Sequence, residues 1–293
     1  MYTPKLAIIT PVFNRAAKLH RLYDSLKTQT CKDFTWYVVD DGSTDNSWDV
    51  ITSMAESAPF TLKTFSKPNG GKHTAVNLAV RNIEEPLSFI VDSDDWLPSN
   101  SVETILRCFE EFGGDAGLCG ISFLRRMENC PFDSKPYPKS PLLGTYVDIR
   151  INGKIYGDKA EVFYTRCLKE YPFPEFPGER FYHEDGIWVR MSKKYMMYHI
   201  NEVVYEGRYL DSGLTLDGRK MKLESPLGMM DRSEQFLTYP GRVIISQKIK
   251  HAILWDIYSS ISKKSRASAS FSFGTAALCK FLLPVSLLIK KLW

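Results

Sequence analysis

Short apolar runs and helically spaced apolar positions alternate along the first 120 residues. Residues 5–10, 35–40 and 87–91 are near-continuous apolar runs, the pattern of strands buried on both faces, and residues 60–65 alternate as a further strand. Between them Leu19, Leu22, Tyr23 and Leu26 share a helical face, as do Val50, Ile51 and Met54, and then Ala75, Val76, Leu78, Ala79 and Val80. Strand and helix thus alternate four times, which predicts an α/β fold with a mostly parallel sheet and helices on both faces. The carboxyl edge of such a sheet gathers residues 10–15, 40–45, 67–72 and 92–95 around one crevice, where open α/β sheets bind ligands.

The second half is less regular. Residues 115–123 read as a strand, 128–144 as a Pro-rich loop, 159–171 as a helix and 171–178 as a rigid aromatic connector. After the connector come His183, Glu184 and Asp185, then Ile187, Trp188, Met191 and Tyr195 at helical spacing. Residues 196–205 read as a strand and 208–215 as a loop. Ile249, Ile253, Ile257 and Ile261 mark a helix over 242–261, and the Ser/Ala-rich basic stretch 262–272 reads as a hinge. Residues 274–293 are apolar except for Lys280, Lys290 and Lys291, with Pro284 in mid-run. A membrane-spanning helix needs about 20 mostly apolar residues without a central charge. The expectation is therefore an interfacial helix anchored by Trp293, with packing on the catalytic domain or a partner subunit as the alternative.

The acids at the end of the fourth strand carry the candidate chemistry. Asp92 and Asp94 are two apart and share a face on extended chain, so their carboxylates converge and repel unless a cation neutralises them. A solvated turn is the competing reading for such a cluster. No G-x-G-x-x-G or G-x-x-x-x-G-K-[ST] occurs, so neither a dinucleotide fold nor a P-loop accounts for the crevice. Glu184 and Asp185 have an ordinary reading too, since acids at a helix N-terminus complement its dipole.

Composition adds constraints. The 293 residues are 44% hydrophobic and 25% charged, as in an ordinary globular protein. The net charge of +4 is uneven: residues 242–293 hold nine Lys/Arg and one acid, Asp256, a net +8 that leaves the remainder at −4. Such a basic tail seeks anionic surfaces, and no nucleic-acid partner is expected. Six scattered cysteines with no C-x-x-C pair point to buried thiols in a reducing compartment, and no signal-like apolar run follows Met1. The expected location is cytoplasmic, with peripheral contact on the inner face of the membrane through residues 242–293.

Four segments together resemble the family 2 glycosyltransferases, inverting nucleotide-sugar-dependent enzymes of the GT-A fold. They are Thr-Pro-Val-Phe-Asn-Arg at 10–15, Val-Asp-Asp-Gly-Ser-Thr-Asp at 39–45, Asn-Gly-Gly-Lys-His-Thr-Ala-Val-Asn at 69–77 and Val-Asp-Ser-Asp-Asp at 91–95. The resemblance implies a catalytic domain over 1–215, with a nucleotide-sugar half at 1–120 and an acceptor half at 121–215, followed by a helical, basic extension at 216–293. It implies that Asp41 reads the uracil ring of a UDP-sugar, that Thr10 and Pro11 floor the nucleoside pocket, and that Asn14 or Arg15 lies beside it. Asp92 and Asp94, flanking Ser93, match the family's D-x-D, with Asp94 the more direct ligand of Mn²⁺ or Mg²⁺. Asp95 either supports the metal ligands or caps the next helix. Lys72 either neutralises a phosphate or is a solvated lysine, and Arg208 either contacts the diphosphate or forms a surface ion pair. Asp185 matches the catalytic base, Glu184 orients it or the acceptor, and His183 stands where the family often has other residues. The implied reaction moves a sugar to a hydroxyl of a glycan or lipid-linked acceptor, in cell-surface or capsular polysaccharide synthesis. The rivals are a sugar-1-phosphate nucleotidyltransferase, whose Gly-rich G-x-x-x-R loop is missing here, and a non-catalytic binding member of the fold.

Overall fold

The computed structural model describes residues 5–128, 134–208, 214–262 and 271–291. Its first part alternates as the apolar pattern predicts: β1 (Leu6–Val12), α1 (Leu19–Lys27), β2 (Phe34–Asp40), α2 (Ser47–Ser57), β3 (Thr61–Ser66), α3 (Lys72–Asn82), β4 (Leu87–Ile90) and α4 (Ser101–Phe112). The four strands are parallel in the order β3-β2-β1-β4. Right-handed crossovers running from β1 to β3 put α1 and α2 on one face, and the reversal into β4 puts α3 on the other. The core agrees. Leu6, Ile8, Trp36 and Phe89 cluster with Leu19, Leu22, Met54 and Ile105 from α1, α2 and α4. The alternate strand residues Ala7, Ile9, Tyr37 and Val39 are equally buried, on the side where α3 packs on β1 and β2.

Four further strands complete an eight-stranded sheet in the order β3-β2-β1-β4-β7-β5-β8-β6. They are β5 (Leu118–Glu128), β6 (Leu142–Gly144), β7 (Lys159–Tyr164) and β8 (Met196–Arg208). β7 runs antiparallel to both β4 and β5, whereas β5 and β8 are parallel. Two sequence expectations need correction here. Residues 159–171 are not one helix but β7 followed by the short α5 (Thr165–Glu170). Ala160, Phe163, Cys167 and Leu168 do fit a helical face, but strands on both sides pair with Val162, to Phe89 and to Ile121, and long-range pairing overrides the local period. The expected Pro-rich loop also holds a short strand, β6, paired antiparallel with β8; its residues 129–133 lie outside the described residues.

The contacts divide the chain into two units. The first, residues 1–144, 155–172 and 195–211, contains the sheet. The second, residues 145–154, 173–194 and 212–293, is helical: a π-helix (Val147–Asn152), α6 (Asp185–Met191), α7 (Leu214–Glu224), α8 (Pro226–Leu237), α9 (Ile245–Ser262) and α10 (Phe273–Lys291). Its core joins Met229 and Met230 of α8 to Ala252, Trp255 and Tyr258 of α9 and Cys279 of α10. Residues 263–270 of the expected hinge, and the expected anchor Trp293, lie outside the described residues. Cys31, Cys108, Cys119, Cys167 and Cys279 are free thiols, all but Cys31 buried.

Candidate active site

The first two loops at the carboxyl edge of the sheet are tied together through their backbones. Asn14 takes φ +52°. Its side-chain oxygen accepts from the Thr44 N–H at 2.8 Å, while its own N–H donates to Ser43 Oγ at 2.9 Å. The Arg15 N–H donates to Ser47 Oγ at 2.9 Å, and its guanidinium Nη1 donates to the Asn14 carbonyl at 3.3 Å. Thr10 is fully buried and accepts from Trp36 Nε1 at 2.9 Å, fixing the floor at this point.

Asp41 organises the third loop. Its Oδ1 accepts from Lys67 Nζ at 2.6 Å and from the Gly70 N–H at 3.0 Å. Its Oδ2 accepts from Asn69 Nδ2 at 3.2 Å and the Gly71 N–H at 2.7 Å. Four donors occupy the carboxylate's lone-pair directions, and the group is almost fully buried. The close approach depends on Gly42, whose φ is +73° and where a Cβ would lie 2.6 Å from the Asn69 nitrogen.

The acid cluster after β4 is interleaved with cations. Lys72 Nζ lies 2.5 Å from Asp92 Oδ1, and Arg15 Nε lies 3.6 Å from Asp94 Oδ2. Burial opposes ionisation of Asp92, yet Lys72, Arg125 and Arg15 together hold its carboxyl below the usual range. Asp95 points elsewhere. It accepts from Arg125 Nη2 at 2.7 Å and from the Tyr205 hydroxyl at 2.8 Å, and that same hydroxyl accepts the Asp92 N–H at 2.9 Å. Burial pushes the Asp95 carboxyl up to about 6 against the pull of Arg125. The helix-capping alternative for Asp95 does not hold, because Asn100 occupies the N-cap position of α4. Asp95 instead buttresses Asp92 through Tyr205. The next residue, Trp96, is bridged to Glu206 of β8 by paired backbone bonds and by Nε1 to Glu206 Oε2 at 2.8 Å. The acidic turn is thereby clamped between two strands. Among the described residues no group of three or more His, Cys, Asp or Glu side chains could hold a metal ion. A cation here would have only Asp92 and Asp94, an oxygen-only pair that suits Mn²⁺ or Mg²⁺ when a ligand supplies the remaining oxygens. Ser93 between them is buried, and Arg208 ends β8 exposed, opposite Glu128 in the ladder.

In the helical unit, Glu184 takes the N-cap position of α6 without a side-chain capping bond, and Asp185 begins the helix. The Asp185 carboxylate is more than a dipole partner. Arg232 of α8 donates to it twice, Nε to Oδ1 and Nη2 to Oδ2, each at 2.5 Å. His183 Nδ1 stands 2.9 Å from Oδ1. Burial would raise this carboxyl, but Arg232 and then His183 outweigh it and hold it well below the usual range. Tyr182 donates to Asp231 Oδ2 at 2.7 Å, and Glu179 accepts the Leu227 and Gly228 N–H groups at 2.6 and 2.8 Å. The segment before α6 is thus fastened to α8 at three points. Arg232 was not foreseen from sequence, though a signal existed: it falls on the buried face of α8 that also carries Met229, Ser233 and Phe236.

Residues 7–132, which carry the crevice loops and the acid cluster, match the family model described as Glycosyl transferase family 2. Residues 7–132 thus carry a glycosyl transferase family 2 domain. Among curated relatives, the chain is 33% identical over 114 residues to the glycosyltransferase GlyA of Streptococcus pneumoniae, covering 39% of the chain and 16% of GlyA. It is 35% identical over 126 residues to the chondroitin synthase of Pasteurella multocida, covering 43% of the chain and 13% of that synthase. The chain therefore spans a small part of those relatives' length. Among solved structures, S. aureus TarS 1–349 in complex with UDP-GlcNAc superposes with a TM-score of 0.65 at 17% identity, over 96% of this chain and 80% of that one. The mannosyltransferase PcManGT from Pyrobaculum calidifontis, in complex with GDP-Man and Mn²⁺, gives 0.59 at 16% identity over 98% and 81%. These two likenesses show the shared GT-A fold.

Proposed function

We propose that this chain is an inverting glycosyltransferase that moves a sugar from UDP to a hydroxyl of a glycan or lipid-linked saccharide, on the cytoplasmic side of a membrane, in cell-surface polysaccharide synthesis. One observation carries the reading. Asp92 and Asp94, each facing a cation, stand at the carboxyl edge of a parallel sheet, within the segment that matches the family. UDP-GlcNAc bound to TarS supports a UDP-sugar donor, and Mn²⁺ bound to the mannosyltransferase supports a divalent ion.

Asp94, with Asp92, holds the ion, which when bound stabilises the negative charge that builds on the departing diphosphate. Lys72 and Arg15, already in the crevice, add positive charge to the same oxygens. Asp41 and the loop it organises form the base end of the donor pocket over Thr10 and Pro11. The acceptor oxygen forms a bond to the anomeric carbon as the bond from that carbon to the β-phosphate oxygen breaks, which inverts the centre. The hydroxyl proton, acidified as the new bond forms, passes to the Asp185 carboxylate. A carboxylate held well below its usual range is a weak base, so its contribution rests on fixed position: the Arg232 fork keeps it ionised and aimed. Glu184 orients the acceptor beside it, and Arg208 is assigned to the diphosphate.

Binding separates the two acids' roles. By calorimetry with Mn²⁺, Asp185→Asn is expected to bind the donor nucleotide as the native chain does while losing transfer. Asp94→Asn is expected to lose metal-dependent nucleotide binding as well. Equal loss of nucleotide binding in both variants would overturn the assignment.

A further inference from the structure

α10 carries two different stripes. One turns onto α9: Cys279 is buried in the helical core, Ser286 donates to Asp256 Oδ2 at 3.1 Å, and Lys290 Nζ donates to Ser260 Oγ at 2.6 Å. The other follows the same helical period, Phe273, Ala277, Phe281, Val285 and Leu288, and is exposed among the described residues. Phe273 is 92% exposed, Phe281 80%, Leu288 61% and Val285 45%. Contiguous large apolar side chains in water on one helix face mark an interaction surface, unlike scattered single ones.

We infer that this outward face docks on an anionic lipid bilayer, with α10 lying along the interface and its axis parallel to the membrane plane. Charge selects the occupant. Among the described residues of 242–291 the one acid is Asp256, which is buried and bonded to Ser286, so this stretch shows solvent no carboxylate. Lys280 sits on the exposed face beside Phe281, where its long stem can lie against acyl chains while the ammonium meets a headgroup phosphate. A second copy of the chain would set the same lysines against one another. Geometry selects the orientation. Residues Phe273–Lys290 are long and apolar enough to cross a bilayer, with a mean hydropathy of 1.6 and only 17% of the stretch buried. A crossing would put Lys280 near mid-span and strip Ser286 and Lys290 from α9. Lying flat keeps those bonds and still removes both phenylalanines from water. The inference does not depend on the transfer reaction.

The test is sedimentation of the full chain with vesicles of phosphatidylcholine alone or mixed equally with phosphatidylglycerol, for the native chain, Lys280→Glu and Phe281→Glu/Leu288→Glu. The native chain is expected to pellet with the phosphatidylglycerol vesicles, to be released by added salt or alkaline carbonate, and to bind phosphatidylcholine far more weakly. Phe281→Glu/Leu288→Glu should weaken partitioning by about tenfold or more, and Lys280→Glu by several-fold. All these side chains are exposed, so the variants should melt with the native chain. Native protein that stays in the supernatant, or a double variant that still pellets fully, would overturn the inference. So would resistance to carbonate extraction, which would mean a spanning helix. Light scattering showing a dimer that the double variant dissolves, without vesicle binding, would give the face to a second copy.

Discussion

At the scale of single residues, the chain commits its buried charges in pairs whose removal has a predictable sign. Arg232 is almost fully buried and its guanidinium has Asp185 as its bidentate partner. Arg232→Met leaves that largely buried carboxylate charged with His183 as its remaining neighbour, a change expected to cost about 3–5 kcal/mol at neutral pH. Because Asp185 is held below its unfolded value, its stabilising contribution is present above the ordinary carboxylate pKa and is lost as pH falls through the lowered one. Urea midpoints measured from neutral pH into the acid range should therefore show the native curve falling toward the variant's, with the gap closing at the lowest pH. A gap independent of pH would mean that the pair is not linked to Asp185 ionisation. Arg232→Lys keeps the charge but loses the fork, and should lower turnover about tenfold or more while leaving the donor KM in place. In the sheet unit, Arg125→Met should destabilise by a similar margin, about 3–5 kcal/mol, because it removes the charge partner of the buried Asp95 and leaves it the Tyr205 hydroxyl. Adding Asp95→Asn to it should recover part of the loss. Additive losses in that double variant would contradict the pairing.

At the scale of elements, the loop after β2 depends on one backbone conformation. Gly42 has φ +73° and no room for a Cβ against the Asn69 nitrogen, whereas Gly114 has φ +94° with nothing within 4 Å. Gly114→Ala should cost about 1 kcal/mol for the left-handed conformation alone. Gly42→Ala should cost more than that, and should also weaken nucleotide binding by displacing the loop that grips Asp41. Equal melting temperatures for the two variants would contradict this account. The same elements show what was legible from sequence. β1, β2 and β4 could be read because a strand buried on both faces needs a near-continuous apolar run, and residues 6–12, 34–40 and 87–90 supply one without an interior charge. β7 could not, since Lys159 and Glu161 break its run and its apolar positions also fit a helix; only pairing with two remote strands decides it. The positions of Asp92 and Asp94 were legible from spacing within one segment. Tyr205, which accepts the Asp92 N–H, Arg125, which pairs with Asp95, and Arg232, which pairs with Asp185, come from segments whose approach no local pattern encodes. Lys72 and Arg15 were named in advance, but their pairing with Asp92 and Asp94 required the fold.

At the scale of the molecule, the two units divide the proposed work. The sheet unit presents the donor chemistry along one edge, built from loops that the order β3-β2-β1-β4 brings together. The helical unit carries the Asp185–Arg232 pair in its interior and the uncovered apolar face of α10 on its surface. The basic stretch 242–293 lies wholly within the helical unit and is the part suited to an anionic surface. Asp94 and Asp92 are proposed as the metal-dependent diphosphate site of a UDP-sugar transferase, and that assignment decides the function. It is tested most directly by UDP release from a panel of UDP-sugars with Mn²⁺, comparing the native chain with Asp94→Asn. Release from one donor is expected, abolished by chelation and in the variant. Release unchanged by chelation and by Asp94→Asn, or release from GDP-sugars and from no UDP-sugar, would contradict it.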